Sequence, residues 1–431
     1  MSGVPSAPER ARRGELDFLR GLALVIMAVG HPMRTNVYGG EIAVDFVRLY
    51  YHHYGELFSG LFIFISGVNV TNFLRSLERH PDLNATGFFV KSSIALFVMG
   101  WTYNLCVGTA LFIDIIQAVA YGTLLVYLLL RFRVPAWGFL LVTLAAFAAY
   151  LYLVGEGPRD PDLMEKVRPY RYFVAMFGPL PWAGFFTYGV AVDRIETKRG
   201  QNIVLILAAL LFLIGTRLPL LRGEMPAVGL LKVNLRYLVL SLGFLPLIFI
   251  PFKRWYAGRS NGAKLVEYWG RESLVFFVFH WAYIFILGLV LIPVVSTAGE
   301  NTGAWMTGVL TMLLIGFTVR PLAGLRNKWM THPEFGRYAW TAFGLLFLGF
   351  VFAMGRLVKV AVAAGVDVPS LDFQAAWTPL YFTFVVKQLF AFGIAATFCF
   401  VYPHLRAQMR KAASQKKQPR RGRRKLLRKR P

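Results

Sequence analysis

The chain reads as an all-α, polytopic integral membrane bundle of about 10–12 transmembrane helices. Three observations carry that reading. Of its 431 residues, 56% are hydrophobic and only 16% charged, and the mean hydropathy is +0.52, outside the range of ordinary soluble domains. Apolar runs of roughly 18 to 22 residues, each long enough to cross a hydrocarbon core of about 30 Å, recur along nearly the whole chain. Basic residues recur in the loops that alternate threading places inside, and the loops near 105–109 and 295–303 have none, although those near 155–171 and 217–236 carry some.

In chain order the spans are expected at 17–36, 55–75, 87–104, 110–131, 135–154 and 171–192. They continue at 201–219, 235–252, 272–294, 303–320, 339–360 and 380–404. Residues 1–16 are then a cytoplasmic N-terminal segment, 17–404 the transmembrane domain and 405–431 a basic cytoplasmic tail. The first fifteen residues are polar and precede no small-residue cleavage site, so the first span is expected to be retained.

With a cytoplasmic N-terminus the inward loops carry Arg75 and Arg79, then Arg131 and Arg133, then Arg194, Lys198 and Arg199. Lys253, Arg254, Arg259 and Lys264 follow, then Arg320, Arg326, Lys328 and Arg337. An even span count places both termini inside, in a cell (inner or cytoplasmic) membrane. The sequon at Asn84 then faces the cytoplasm, where it is not glycosylated.

The formal net charge is +25, but twelve Lys or Arg and no acid fall within the last 22 residues. That location favours a tail touching anionic lipid over nucleic-acid binding. Cys106 and Cys399 belong near opposite membrane faces, beyond the reach of a disulfide. No internal repeat with matching broken helices points to an inverted-repeat transporter. No glycine-rich nucleotide loop or clustered metal-ligand set stands out, and no metal is expected.

The first span, "LDFLRGLALVIMAVGHPM" over residues 16–33, carries its own chemistry. In an α-helix the eleven residues from Arg20 to His31 turn through about 1100°, close to three full turns, so both fall on one face about 16 Å apart. Arg20 sits at the membrane surface, while His31 lies near mid-bilayer, where an ionisable group costs free energy and faces the bundle interior. Asp17, one turn before Arg20, can hold the guanidinium by a charge-assisted bond. Pro32 removes a backbone donor and should loosen the helix at His31. A purely structural histidine, bonded to a neighbouring helix, is the competing reading.

An Arg, ten intervening residues and a His in the first span resembles the signature of the membrane acyltransferase family 3. "ELDFLRGLALVIMAVGH" is also similar to the start of the heparan-alpha-glucosaminide N-acetyltransferase catalytic domain and its bacterial relatives. "LFSGLFIFISGVNV" (57–70), "FIDIIQAVAYGTLLVYLL" (112–129), "PLPWAGFFTYGVAVDR" (179–194) and "WGRESLVFFVFHW" (269–281) fit the same superfamily. The resemblance implies a membrane-bound, acyl-CoA-dependent O- or N-acyltransferase. Its donor would be cytosolic acyl-CoA, in particular acetyl-CoA. Its acceptor would be a hydroxyl or amine of an extracytoplasmic glycan, lipid-linked or other envelope molecule. It assigns chemistry to His31 by position only, with His52 and His53 in the first outer loop as rivals.

His280, in the ninth span after "GRESL", either completes a polar site with His31 or is a capped structural residue. Asp114 and Gln117 share a helix face and either bind acceptor or join helices. Lys91, with Ser92 and Ser93, either meets the phosphates of coenzyme A beside Arg20 or snorkels to the interface. Trp182 follows Pro179 and Pro181, which should open the backbone inside the sixth span. It either stacks on substrate or belongs to the interfacial belt. Ser66, Asn69 and Asn72, following Gly60 and beside Gly67, read as a packing stripe. Lys387, inside the last span, has no assigned role. Lipid, acyl-CoA and the acceptor are the expected partners, and the sequence leaves homo-oligomerisation open. The competing function is a transporter or flippase of an amphipathic envelope component.

Overall fold

In the computed structural model the described residues are 13–34, 56–78, 85–107, 115–155, 178–218, 235–256, 264–291 and 300–330, with isolated positions from 297 to 393. Among them the structure is helical, without a strand. The helices are α1 (Gly14–Arg34), α2 (Glu56–Glu78), α3 (Ala85–Val107), α4 (Ile115–Arg131), α5 (Ala136–Gly155) and α6 (Pro179–Asp193). Then come α7 (Lys198–Arg217), α8 (Leu235–Tyr256), α9 (Lys264–Arg271), α10 (Ser273–Val290) and α11 (Glu300–Met330).

Length and composition let four of these cross a membrane, within Leu57–Arg75, Lys198–Arg217, Leu235–Tyr256 and Thr302–Lys328. The pair α9 and α10, bent by 92°, adds a fifth where the two are counted as one broken span. Shorter apolar stretches lie at Ala85–Gly100, Ile115–Arg131 and Ala136–Tyr152. The chain is thus a helical membrane bundle. The expected eleventh and twelfth spans, with His52, His53, Asn84, Asp114, Lys387, Cys399 and the side chain of Cys106, lie outside the described residues.

α2 is central, apolar over all but the stripe of Ser66, Asn69 and Asn72 along most of its length: Leu57, Leu61, Ile63, Phe64, Ile65 and Val68 are fully buried. It meets α6 backbone to backbone. A Cβ on Gly67 would overlap the carbonyl of Phe186, and one on Gly189 would overlap that of Phe64, a close approach that apolar helices use where lipid supplies no hydrophobic drive between them. Ser66 donates to the Phe62 carbonyl one turn back in the same helix at 2.8 Å. α7 and α11 lie at the rim, since Ile203, Ile206, Leu210 and Leu213, and Trp305, Val309, Leu313 and Phe317, are exposed at one-turn intervals. The opposite side of α11 buries Thr307, Thr311, Ile315 and Val319.

Several helices depart from their expected bounds. α1 starts at Gly14 instead of 17, where Arg13 and Glu15 pair at 2.6 Å. It also stays helical through Pro32 to Arg34, since a proline so near the helix end removes a single bond, that to the Ala28 carbonyl, and has little helix beyond it to disrupt. Pro179 and Pro181 do not open the sixth span. They occupy the first turn of α6, where their absent N–H groups have no intrahelical partner to lose. The ninth span begins earlier than expected, as the separate helix α9. The tenth runs past Pro321 to Met330, 31 residues in all.

Candidate active site

The site is built on α1, which packs against α2, α9, α10 and α11. At its start α1 crosses α9 at contact distance. A Cβ on Gly21 would overlap the Val266 carbonyl, and one on Gly270 would overlap that of Asp17. This crossing aims Arg20 at the bend between α9 and α10. Its Nη1 donates to the Gly270 carbonyl at 3.1 Å and stands 3.5 Å from Asp17 Oδ1. Asp17 is itself buried, at 6% exposure. The guanidinium therefore ties α1 to the last turn of α9, beside the bend.

Three turns further along α1, His31 reaches α10. Its Nδ1 lies 2.9 Å from His280 Nε2, within hydrogen-bond distance. Trp281 stacks on the His31 ring with centroids 4.5 Å apart and an interplanar angle of 22°. His280 is 1% exposed, its ring edge-on to Phe277 at 5.3 Å. α11 closes this part of α1, with Gly308 set against the backbone of Val29. Arg20 and His31 thus turn toward one broken helix pair, the first to α9 and the second to α10. Chemically the arrangement offers an imidazole pair in a largely apolar wall, joined along one helix to a guanidinium–carboxylate pair.

Among the described residues, none of the remaining candidates is brought to this face. Lys91 is exposed on α3, a helix packed mainly on α4. Ser92 beside it is buried, at 4% exposure. Gln117 is buried in α4 against Gly100 of α3, where an added Cβ would lie 2.6 Å from its Cγ, a packing contact between helices. Trp182 is 0% exposed and its ring sits 5.4 Å from that of Phe185. It belongs to the core instead of an interfacial belt, and stacking on a substrate requires that packing to open.

Two ionic groups escaped the sequence reading. Asp193 at the end of α6 is 6% exposed, and its carboxylate accepts from Arg13 Nη1 and Nη2 at 3.1 Å and from Lys253 Nζ at 2.7 Å. Arg13 also reaches Asn72 Oδ1 at 3.4 Å. The start of α1 and the ends of α2, α6 and α8 therefore share one side of the bundle, as alternate threading requires. At the α9–α10 bend, buried Glu272 takes Arg326 of α11 at 2.8 Å. An acid ending an apolar run was the available signal at both places, but its partners lie 60 to 180 residues away at Asp193.

The family model for heparan-alpha-glucosaminide N-acetyltransferase, catalytic, matches residues 12–218. This span holds α1 through α7, with Asp17, Arg20 and His31, and stops short of His280. It bears out the resemblance read from the sequence. No curated protein and no solved structure matches the chain.

Proposed function

From the match of residues 12–218 to that acetyltransferase family, we propose that the chain is a membrane acyltransferase. It moves an acyl group, acetyl in the first instance, from cytosolic acyl-CoA to a hydroxyl or amine of an extracytoplasmic glycan, lipid-linked or other envelope acceptor. The observation that carries this reading is the His31–His280 contact at 2.9 Å, set on the helix face that also holds Arg20. The coenzyme A head group meets the basic end of the bundle, where Arg20 contributes charge and Asp17 orients it. Lys91 and Ser92 would add to donor binding only from α3, at the edge of that field. The pantetheine arm then runs along α1 toward His31.

His31 acts as general base on the acceptor or carries the acyl group in passing, and His280 supports it. Asp114, Gln117 and Trp182 are the proposed acceptor contacts, of which Gln117 and Trp182 would have to leave packed positions. Both termini face the cytoplasm, residues 17–404 form the transmembrane domain, and 405–431 rest on anionic lipid.

The test is incubation of the full chain in proteoliposomes with acetyl-CoA labelled in the acetyl group and with envelope glycan and lipid fractions. Label in an acceptor, with free coenzyme A released and both lost in His31→Ala, is the expected result. Acetyl-CoA recovered intact with every fraction, alongside movement of an envelope component across the bilayer, would establish a transporter instead.

A further inference from the structure

The two imidazoles at the α1–α10 contact are chemically unequal. His280 Nδ1 is sealed from solvent and makes no hydrogen bond, and the backbone carbonyls of Phe276 and Phe277, one turn back on its own helix, lie beside its ring. A neutral imidazole carries one proton and one lone pair. A lone pair at Nδ1 would face carbonyl oxygens, whereas a proton there is attracted to them, and a buried polar group without such attraction is costly. The proton of neutral His280 therefore belongs on Nδ1, which leaves Nε2 an acceptor. Nε2 is the atom that meets His31 Nδ1 at 2.9 Å, and two lone pairs cannot face each other at that distance.

We propose that His280 is a positioning residue that sets the tautomer of His31: the proton of His31 stands on Nδ1, given to His280 Nε2, and its lone pair stands on Nε2. This assignment rests on the acyltransferase reading and deepens it. Nε2 of His31 then takes the proton of the acceptor hydroxyl or amine as the acceptor atom attacks the thioester carbonyl. The acceptor–acyl bond forms, the carbon–sulfur bond breaks, and the proton passes to the departing coenzyme A thiolate. While His31 carries the extra proton, its Nδ1–H remains held by His280, and Trp281 on its face keeps the ring plane in place. The pair thus works without an acid in the third position, a chain of one imidazole orienting another.

The chain has seven histidines, few enough for nitrogen-15 spectroscopy of the full protein in nanodiscs, with the His31 signals identified by their loss in His31→Gln. A protonated Nδ1 and an unprotonated Nε2 on His31 are expected, and the opposite tautomer overturns the assignment. In kinetics, His280→Gln keeps a carbonyl oxygen near the Nε2 position and should hold most of the turnover. His280→Leu should lower kcat on the order of 10²-fold with the KM for acetyl-CoA unchanged. Wild-type kcat in a folded His280→Leu protein overturns the proposal. If the leucine variant fails to fold, the wild-type spectrum still decides. A wild-type chain that transfers no acyl group sinks the enzymatic reading instead, and that outcome is read from label, not from the tautomer.

Discussion

Gly21 of α1 and Gly270 of α9 meet backbone to backbone: a Cβ on Gly21 would lie 3.0 Å from Gly270 N and overlap the Val266 carbonyl, and one on Gly270 would lie 2.8 Å from Gly21 N and overlap that of Asp17. Only at that separation does the Arg20 guanidinium reach the Gly270 carbonyl at 3.1 Å. Gly21→Leu should therefore push α9 away, with an overpacking cost of about 1–3 kcal/mol. A lowered thermal midpoint in detergent, together with weaker donor binding, is the expected pair of readouts. An unchanged midpoint would show that the crossing is not closely packed.

Asp193 gathers Arg13 and Lys253 from two other helices at the same end of the bundle. Its side chain is 4% exposed and theirs 26% and 29%, so screening by water is partial. Asp193→Ala leaves Lys253 without its anion and Arg13 with Glu15 alone, at a cost of up to about 3 kcal/mol, the lower end of the range for breaking a buried pair. Loss of yield and of monodispersity on size-exclusion chromatography is expected, with Asp193→Asn intermediate because it keeps an acceptor oxygen.

Glu272 and Arg326 couple the α9–α10 bend to α11 across 2.8 Å, both nearly buried. Either single change, Glu272→Gln or Arg326→Gln, should destabilise the protein. The double change should be less harmful than the sum, since it leaves no unpaired charge behind. A double-mutant cycle on thermal midpoints measures this coupling, and strict additivity would show the pair to be inert.

Arg20 has two duties to separate. Arg20→Ala removes a charged hydrogen bond to a backbone carbonyl, a loss of about 1.5–3 kcal/mol in stability. It should also weaken acetyl-CoA binding in a direct titration. Arg20→Gln can restore much of the bond to Gly270 without the charge. Stability that recovers while affinity stays low would assign the charge to donor binding, and recovery of both would make Arg20 structural.

Much of the candidate site was legible along the chain because it lies within one helix. Asp17, Arg20 and His31 follow from a period of 3.6 residues, and the structure keeps that face intact from Arg20 to His31. His280 was visible as an ionisable residue in an apolar run, but its meeting with His31 depends on how α1 and α10 pack, 249 residues apart in sequence. Trp182 and Gln117 looked like ligand contacts for the same reason, being polar or aromatic within a span. Which side of a helix faces a neighbour decided their burial, and an all-round apolar pattern does not reveal it.

Hydropathy and charge distribution by themselves determined a helical membrane protein, the placement of the described helices to within a few residues in most cases, and the Arg20–His31 face. All of these are properties of a single segment in contact with lipid or its surface. Tertiary structure alone decided that Gly21 admits α9, that Asp193 binds cations from two helices, that Glu272 is held by Arg326, and that His31 faces His280. Those contacts join segments whose mutual distance is set by packing, where one added Cβ is enough to forbid the approach.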